Sequence, residues 1–496
     1  MYQKVLFVIP PFPGARRWYS GTPSYPHVGV GYLSEILDAN DIENHVLDMR
    51  LGYDNGDLLR LIGLLRPDLV GVTTWTYGYK RIYELVSTIC AKPHAQEYEV
   101  ILGGPHTSTI GSKILSETCA DFAVKLEGEH ALLELCRGRP LSTIMGLIYR
   151  DDGTVVENHD RPFLRSLDDL PFPKYERFDL RKYARRIIPV VSSRGCPYSC
   201  IFCPVKATIG QIYRSRSARN VFEELFYWYS KGYREFSIQD DNFTLIKERV
   251  HEICDLIERN GLRNLSIICG NGIRADRVDR ELLKRMHAVG FRELAFGVEA
   301  GNDRILSRIK KGESMQTIRR AIRDACDLGY VTTLTFMIGH PTETARDIED
   351  SFRLALEFPV ASATFFNIVP FPRTELYDWI ETNRLFLRPP EQYLDSVGHW
   401  EIDPVFQTPE LTYDERRRAL LKGRKVSLLV RKRYAHRALK RYGVLGNVLV
   451  FFAYSHSFHR ILGEFLQYQT AKKILLLFLR LTGLRYAVSF APELVD

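Results

Sequence analysis

The chain has 496 residues, of which 45% are hydrophobic and 26% charged, a globular composition too long for one ordinary domain. Its net charge is only +8, and its nine cysteines are sparse and odd in number, which excludes a disulfide scaffold. The opening MYQKVLFVIPP is too short an apolar run for a signal peptide, and no stretch reaches the roughly 18 clean apolar residues of a spanning helix, so the chain is expected in the reducing cytoplasm.

Residues 1–145 alternate strand and helix signals. Apolar runs at 4–9, 44–48, 68–74 and 100–102 read as strands, and 29–40, 58–65 and 79–90 as helices between them. This pattern predicts a doubly wound parallel sheet of Rossmann-like type, whose ligand loops fall at the carboxyl ends of the strands, at 10–26, 73–78, 103–106 and 127–129. Residues 146–187 read as a connector, with a small hairpin turning at Asp152-Gly153 and a proline-bounded linker at 168–173. Between 188 and 390 the alternation resumes. Six strand signals, at 189–193, 235–239, 266–270, 293–297, 332–338 and 363–369, are each followed by a helix-length segment. That is the pattern of a partial (β/α)6 barrel of the TIM type, with active residues at strand ends.

Residues 391–496 read as a basic helical region. From 416 to 485 there are 17 Lys and Arg against a single acid, Glu464, interleaved with apolar runs at 444–454 and 474–479. Such a segment suits an amphipathic helix on an anionic lipid surface, a lipid substrate, or a solvated face over an ordinary helical core. It is more apolar than phosphate binding requires, so nucleic acid is disfavoured.

The strongest chemical signal is Arg194-Gly195-Cys196-Pro197-Tyr198-Ser199-Cys200-Ile201-Phe202-Cys203, directly after a strand. Three thiols on one tight loop suit a soft metal site. Zinc would want a fourth ligand nearby, and the next cysteine is Cys254. A cubane cluster held by three thiolates instead leaves one iron open for chemistry.

This Cys-x3-Cys-x2-Cys motif, with aromatic Phe202 before the last cysteine, resembles the radical SAM superfamily. The resemblance implies a 4Fe–4S cluster on Cys196, Cys200 and Cys203. It also implies S-adenosylmethionine on the open iron, with Phe202 among the residues that bind it, and its reductive cleavage to a 5′-deoxyadenosyl radical, with electrons from a donor such as flavodoxin or ferredoxin. Downstream stretches are similar to the family's cofactor segments. Gln239-Asp240-Asp241-Asn242-Phe243 implies Asp240 and Asp241 at the methionine ammonium, and Asn271-Gly272-Ile273-Arg274 implies Arg274 at its carboxylate. Gly297-Val298-Glu299 implies Glu299 at the ribose or amino group, and Met337-Ile338-Gly339-His340-Pro341-Thr342-Glu343 implies Met337 and Gly339 at the adenine. Thr342 stands where glycine is usual in that turn.

The N-terminal part resembles the cobalamin-binding domain of cobalamin-dependent radical SAM enzymes, through Tyr25-Pro26-His27-Val28-Gly29, Leu102-Gly103-Gly104-Pro105-His106 and Glu127-Gly128-Glu129. The resemblance implies cobalamin contacts from Pro26, Thr73, Trp75, Gly103, Gly104, Pro105, His106, Glu127, Gly128 and Glu129, with Trp75 under the corrin. No Asp-x-His-x-x-Gly axial-ligand motif is present. The function implied is a cobalamin-dependent methyltransferase acting on an unactivated carbon of a lipid or specialised metabolite. The alternatives are a radical SAM cyclase, oxidoreductase or carbon–carbon coupling enzyme without cobalamin, and a zinc-stabilised, membrane-associated binding protein.

Overall fold

The computed structural model of the protein describes residues 1–11, 23–91 and 97–450, apart from 445, 448 and 449. Most of the loop expected at 10–26, and the apolar runs at 444–454 and 474–479, fall largely or wholly outside the described residues.

The first sheet takes strands β1 (Lys4–Ile9), β2 (Glu43–Asp48), β3 (Leu69–Thr73), β4 (Glu99–Gly103), β5 (Phe122–Val124), β6 (Leu147–Asp151) and β7 (Thr154–Glu157) in the order β2-β1-β3-β4-β5-β6-β7. The first five are parallel. Val5 to Ile9 of β1 are all buried, because helices cover both faces, which is why this strand is a continuous apolar run rather than an alternating one. The strand order reverses beside β1, and that reversal opens a crevice at the carboxyl ends of β1 and β3. The helix Val28–Asp38 starts at this crevice. The hairpin expected in the connector is instead part of this sheet: β6 pairs antiparallel with β5, and β7 with β6.

The second sheet is wholly parallel. It follows β8 (Ile187–Val190), β11 (Glu235–Ile238), β12 (Ser266–Ile273), β13 (Phe291–Glu299), β14 (Val331–Ile338) and β15 (Ser362–Asn367) in sequence, as successive βα units of an open barrel must. Between β8 and β11, the two-residue strands β9 (Ser193–Arg194) and β10 (Arg214–Ser215) pair antiparallel. One continuous apolar core runs from the first sheet into the barrel. The connector is held in it by Tyr175, whose ring fills the space beside Gly31 and whose hydroxyl donates to the Pro189 carbonyl at 3.3 Å. Of the scattered cysteines, Cys90 and Cys119 form a disulfide between the end of the helix Tyr79–Cys90 and the approach to β5, a pairing the 29-residue spacing does not signal.

The basic region is only partly a surface. The helix Tyr413–Leu439 opens with a capping box between Thr412 and Glu415 and packs on β15 and the helix Ala345–Glu357. Leu420, Val426, Val430 and Leu439 face the barrel, together with Arg416 and Arg431, while Arg418, Lys422, Lys425, Arg433 and Lys440 face out. The lipid-facing arrangement expected of this stretch is therefore not met over 416–439, since the barrel already covers its apolar side. No helix among the described residues is long and apolar enough to cross a membrane.

Candidate active site

The ribbon β9–β10 pinches the base of the loop 195–213, and backbone hydrogen bonds fix its course. Cys196 N donates to Gly210 O at 3.2 Å, Ile201 N to Ile309 O at 3.2 Å, and Leu376 N to Ile201 O at 2.9 Å. The loop thereby hangs over the carboxyl ends of the barrel strands with Cys196, Cys200 and Cys203 half-buried on it. Phe202 packs against the core with its ring centroid 6.2 Å from that of His340. Burial pushes all three thiols up, Cys203 to about 12; Arg274 opposes this at Cys196, and Lys311 at Cys200. Thiols this reluctant to ionise become thiolates when a metal displaces their protons. Among the described residues no group of three or more His, Cys, Asp or Glu side chains is placed to hold a single metal ion. A cubane takes each of three thiolates on a different iron.

The acidic pair after β11 divides. Asp240 does not face the open site: its carboxylate accepts from Ser192 N, Ser192 Oγ and Ser193 Oγ, each at 2.6 Å, and lies 3.8 Å from Arg249. It braces the end of β8. Asp241 lines the cavity described below, beside the Cys196 loop. Burial, and then the neighbouring Asp240 charge, push its carboxyl up to about 6, against a hydrogen bond from the Gly195 backbone. Arg274 is likewise committed: it donates to Asp276 at 2.9 Å and to the Lys311 carbonyl at 2.8 Å, and its guanidinium lies 3.5 Å above the Tyr198 ring. It steadies the cysteine loop from below instead of standing open to a carboxylate. Glu299, at the end of β13 with φ of 69°, meets Lys311 Nζ at 3.4 Å, and burial outweighs that cation and raises its pKa. Met337 is half-buried on β14. Gly339 N donates to Glu343 Oε2 at 2.6 Å, so Glu343 holds the turn after β14 by its backbone.

A cavity of about 550 Å³ lies between the two strand-end faces. From the first sheet it is lined by Pro26, His27, Thr73, Gly103, Gly104, Pro105, Glu127, Gly128 and Glu129, and from the barrel side by Arg194, Gln239, Asp241 and Asn271. Two expected residues are not on it. His106 turns into the first domain, its ring stacked 4.8 Å from Tyr79 and its Nε2 3.0 Å from the Tyr83 hydroxyl. Trp75 packs, partly buried, against the two cores flanking the first sheet, so neither residue lines the cavity. Gly104, with φ of 117°, is glycine because a Cβ would stand 2.5 Å from the Thr74 carbonyl, a constraint set by the chain itself.

The sequence did not single out Arg194, Lys311 or His27. Arg194 joins the two faces: its guanidinium donates to Glu127 at 2.9 Å and Glu129 at 2.7 Å, and lies 4.9 Å above the Tyr32 ring. Arg214 adds a second bond to Glu127 at 2.7 Å. Lys311 is buried between Glu299 and Glu313, at 3.4 and 3.5 Å; its only sequence signal is a Lys-Lys-Gly run after a helix. His27 caps the helix Val28–Asp38, its Nδ1 accepting from Val30 N at 3.2 Å. Burial, aided by Arg50, pushes it down to about 4, so it is neutral and carries its proton on Nε2. In that tautomer it offers the cavity a donor. The donor set fits an amide-rimmed macrocycle: His27 Nε2–H can donate, Glu129 Oε2 is a buried acceptor without a partner, and glycine backbone lines the wall.

Three thiols on a loop at the barrel strand ends, with the flank of that loop lining a cavity shared with a switch-point crevice, are the arrangement of an α/β metalloenzyme. The sequence pattern of the Radical SAM superfamily matches residues 190–355, and that of the B12 binding domain residues 22–136. The chain is 30% identical over 444 residues to the uncharacterized methyltransferase PH0819 of Pyrococcus horikoshii, covering 87% of this chain and 91% of that one. It is 26% identical to the anaerobic magnesium-protoporphyrin IX monomethyl ester cyclase of Rubrivivax gelatinosus, over 75% of this chain and 69% of that one. The fold is shared with the radical S-adenosylmethionine methyltransferase TsrM of Kitasatospora setae, solved with cobalamin and a 4Fe–4S cluster bound, at a TM-score of 0.66 and 20% identity, over 84% of this chain and 82% of that one. The chain belongs to the radical SAM superfamily, in the group that carries a B12 binding domain. It is accordingly a radical SAM enzyme whose cofactors are a 4Fe–4S cluster, S-adenosylmethionine and cobalamin.

Proposed function

We propose that the enzyme transfers a methyl group to an unactivated carbon of a small-molecule or lipid substrate. The observation that carries this is the single cavity bounded by the cysteine-loop flank on one side and the crevice of the first sheet on the other. When bound, the cluster supplies the electron that cleaves S-adenosylmethionine, and cobalamin carries the methyl group. The chain's own part is to hold Cys196, Cys200 and Cys203 on a braced loop and to present Glu299 and Asp241 as acceptors. Lys311 stands beside Glu299 as a fixed cation, and His27 donates from the opposite wall. A protein donor such as flavodoxin or ferredoxin supplies the electron. The likeness to the cyclase supports a second reading, hydrogen abstraction followed by ring closure without methyl transfer.

The test is anaerobic purification, reconstitution with iron and sulfide, addition of hydroxocobalamin, and an absorption spectrum after desalting. Methyl transfer requires cluster and cobalamin retained together. Replacing any of Cys196, Cys200 or Cys203 with Ala is expected to drop 5′-deoxyadenosine production to the level of the protein-free control. A cluster without retained cobalamin would move the function to the cyclase or oxidoreductase reading, and one zinc per chain with no iron would overturn both.

A further inference from the structure

The C-terminal helix sends one charged side chain into the barrel. Arg416, 1% exposed, lies directly against Gly339: a Cβ built on that glycine would stand 2.1 Å from the guanidinium carbon. Gly339 has φ of 111°, and it opens the turn that Glu343 holds through the Gly339 and His340 amides at 2.6 and 3.2 Å. On its far side the guanidinium is tied to three other points. Nη2 donates to Asn367 Oδ1 at 2.8 Å and Ile368 O at 3.0 Å, Nη1 donates to Phe406 O at 3.2 Å, and the group lies 4.2 Å above the Phe406 ring. Its Nε is buried without a partner.

A buried cation with no direct ion pair, offset only by the nearby Glu343 carboxylate, is a costly choice for a barrel core, and an apolar side chain of similar size would pack there more cheaply. Its planar fork does what an apolar chain cannot, fixing the end of β15 and the segment at Phe406 against the back of the Gly339 turn. The turn is also coupled forward: His340 Nε2 lies 3.4 Å from the Glu299 carbonyl, and its ring faces Phe202 of the cysteine loop.

Resting on the proposed function, and on the family resemblance that implies Met337 and Gly339 at the adenine of S-adenosylmethionine, we infer that Arg416 is a positioning residue for that cofactor, acting from behind Gly339 without touching it. The C-terminal helix is then part of the cofactor site, although no residue of it lines the cavity.

The experiment compares reconstituted wild-type enzyme, Arg416→Ala and the exposed-neighbour control Arg418→Ala. Cluster content, S-adenosylmethionine affinity from the change in the reduced cluster's EPR signal, and turnover are read for each. Arg416→Ala is expected to keep its cluster, to bind S-adenosylmethionine roughly tenfold more weakly, the scale of one lost hydrogen bond, and to recover part of that loss on addition of ethylguanidinium. Arg418→Ala is expected to match wild type. Unchanged affinity in a cluster-loaded Arg416→Ala enzyme would overturn the inference. If wild-type enzyme itself gave no EPR response to S-adenosylmethionine, the proposed function would fall instead. Should Arg416→Ala not fold, Arg416→Lys replaces it: lysine keeps the charge but cannot span Asn367 and the Phe406 carbonyl together, and full affinity there would equally overturn the inference.

Discussion

The two faces that meet at the cavity are built on opposite principles. On the barrel face nearly every ionisable side chain is already committed to another. Asp240 is held by two serines, Arg274 by Asp276 and Lys311 O, and Lys311 by Glu299 and Glu313. On the face of the first sheet the cavity is walled chiefly by glycine backbone, proline and apolar side chains such as Phe7, Val30, Leu33 and Ile101, with its acids Glu127 and Glu129 turned to Arg194. Thus a dense set of family-like charged residues at strand ends is chiefly a brace for the cysteine loop, whereas the sparser face is the one left ready to receive a large ligand. Arg194 is where the two meet.

The largest effect expected from breaking this arrangement comes from Arg194→Ala. It strands the buried carboxylate of Glu129, whose side chain is 7% exposed, while Glu127 keeps Arg214 at 2.7 Å. The cost should be about 3 kcal/mol, measured as a fall in the urea midpoint, together with loss of cobalamin retention. Next comes the neighbouring acid pair. Asp240→Asn removes the charge that accepts three hydrogen bonds and should cost about 2 kcal/mol of stability. Asp241→Asn should leave the urea midpoint in place while altering turnover. Equal stability losses in the two variants would show that the brace and the open acceptor have been wrongly told apart.

A smaller effect concerns pH. Burial lowers His27, His106 and His340 to about 4 from an ordinary 6.5. The folded protein therefore binds fewer protons than the unfolded chain between those values. The stability tied to these histidines is present above pH 6.5 and is lost as the pH falls towards 4. Glu343, raised by burial to about 7 from 4.5, works in the opposite direction over part of that window, so the difference between wild type and His106→Gln is the quantity to read. Its slope should change by about one proton. The smallest effect is expected from His27→Ala. Because Nδ1 caps a helix and Nε2 carries the proton, the EPR spectrum of bound cob(II)alamin should show no nitrogen coupling that the substitution removes.

Much of this was legible in the sequence. The six barrel strands lie within about three residues of their expected ends, since each is an apolar run stopped by a turn, and the three cysteines fall on one loop beyond the first of them, as their spacing implies. What could not be read is which way a side chain turns. Asp240 and Asp241 are adjacent and serve opposite sides of their loop. His106 follows a glycine-rich loop that does line the cavity, yet its ring stacks on Tyr79. Arg416 sits in a run of three arginines, where composition says surface, and only the docked helix reveals that one of them is buried.

The β6–β7 hairpin carries a consequence for how the molecule can be divided. β5 has only three residues, all buried, and β6 covers its outer side. Cutting the chain at 145 would bare an apolar edge able to recruit strands from other molecules. A fragment ending beyond residue 160 would keep the hairpin and also the grip of Lys125 on Glu157 and Asp160. The unit that can be moved between proteins is therefore longer than the ligand-binding crevice it carries, and its last two strands serve as a selvedge that keeps the sheet from fraying into aggregation.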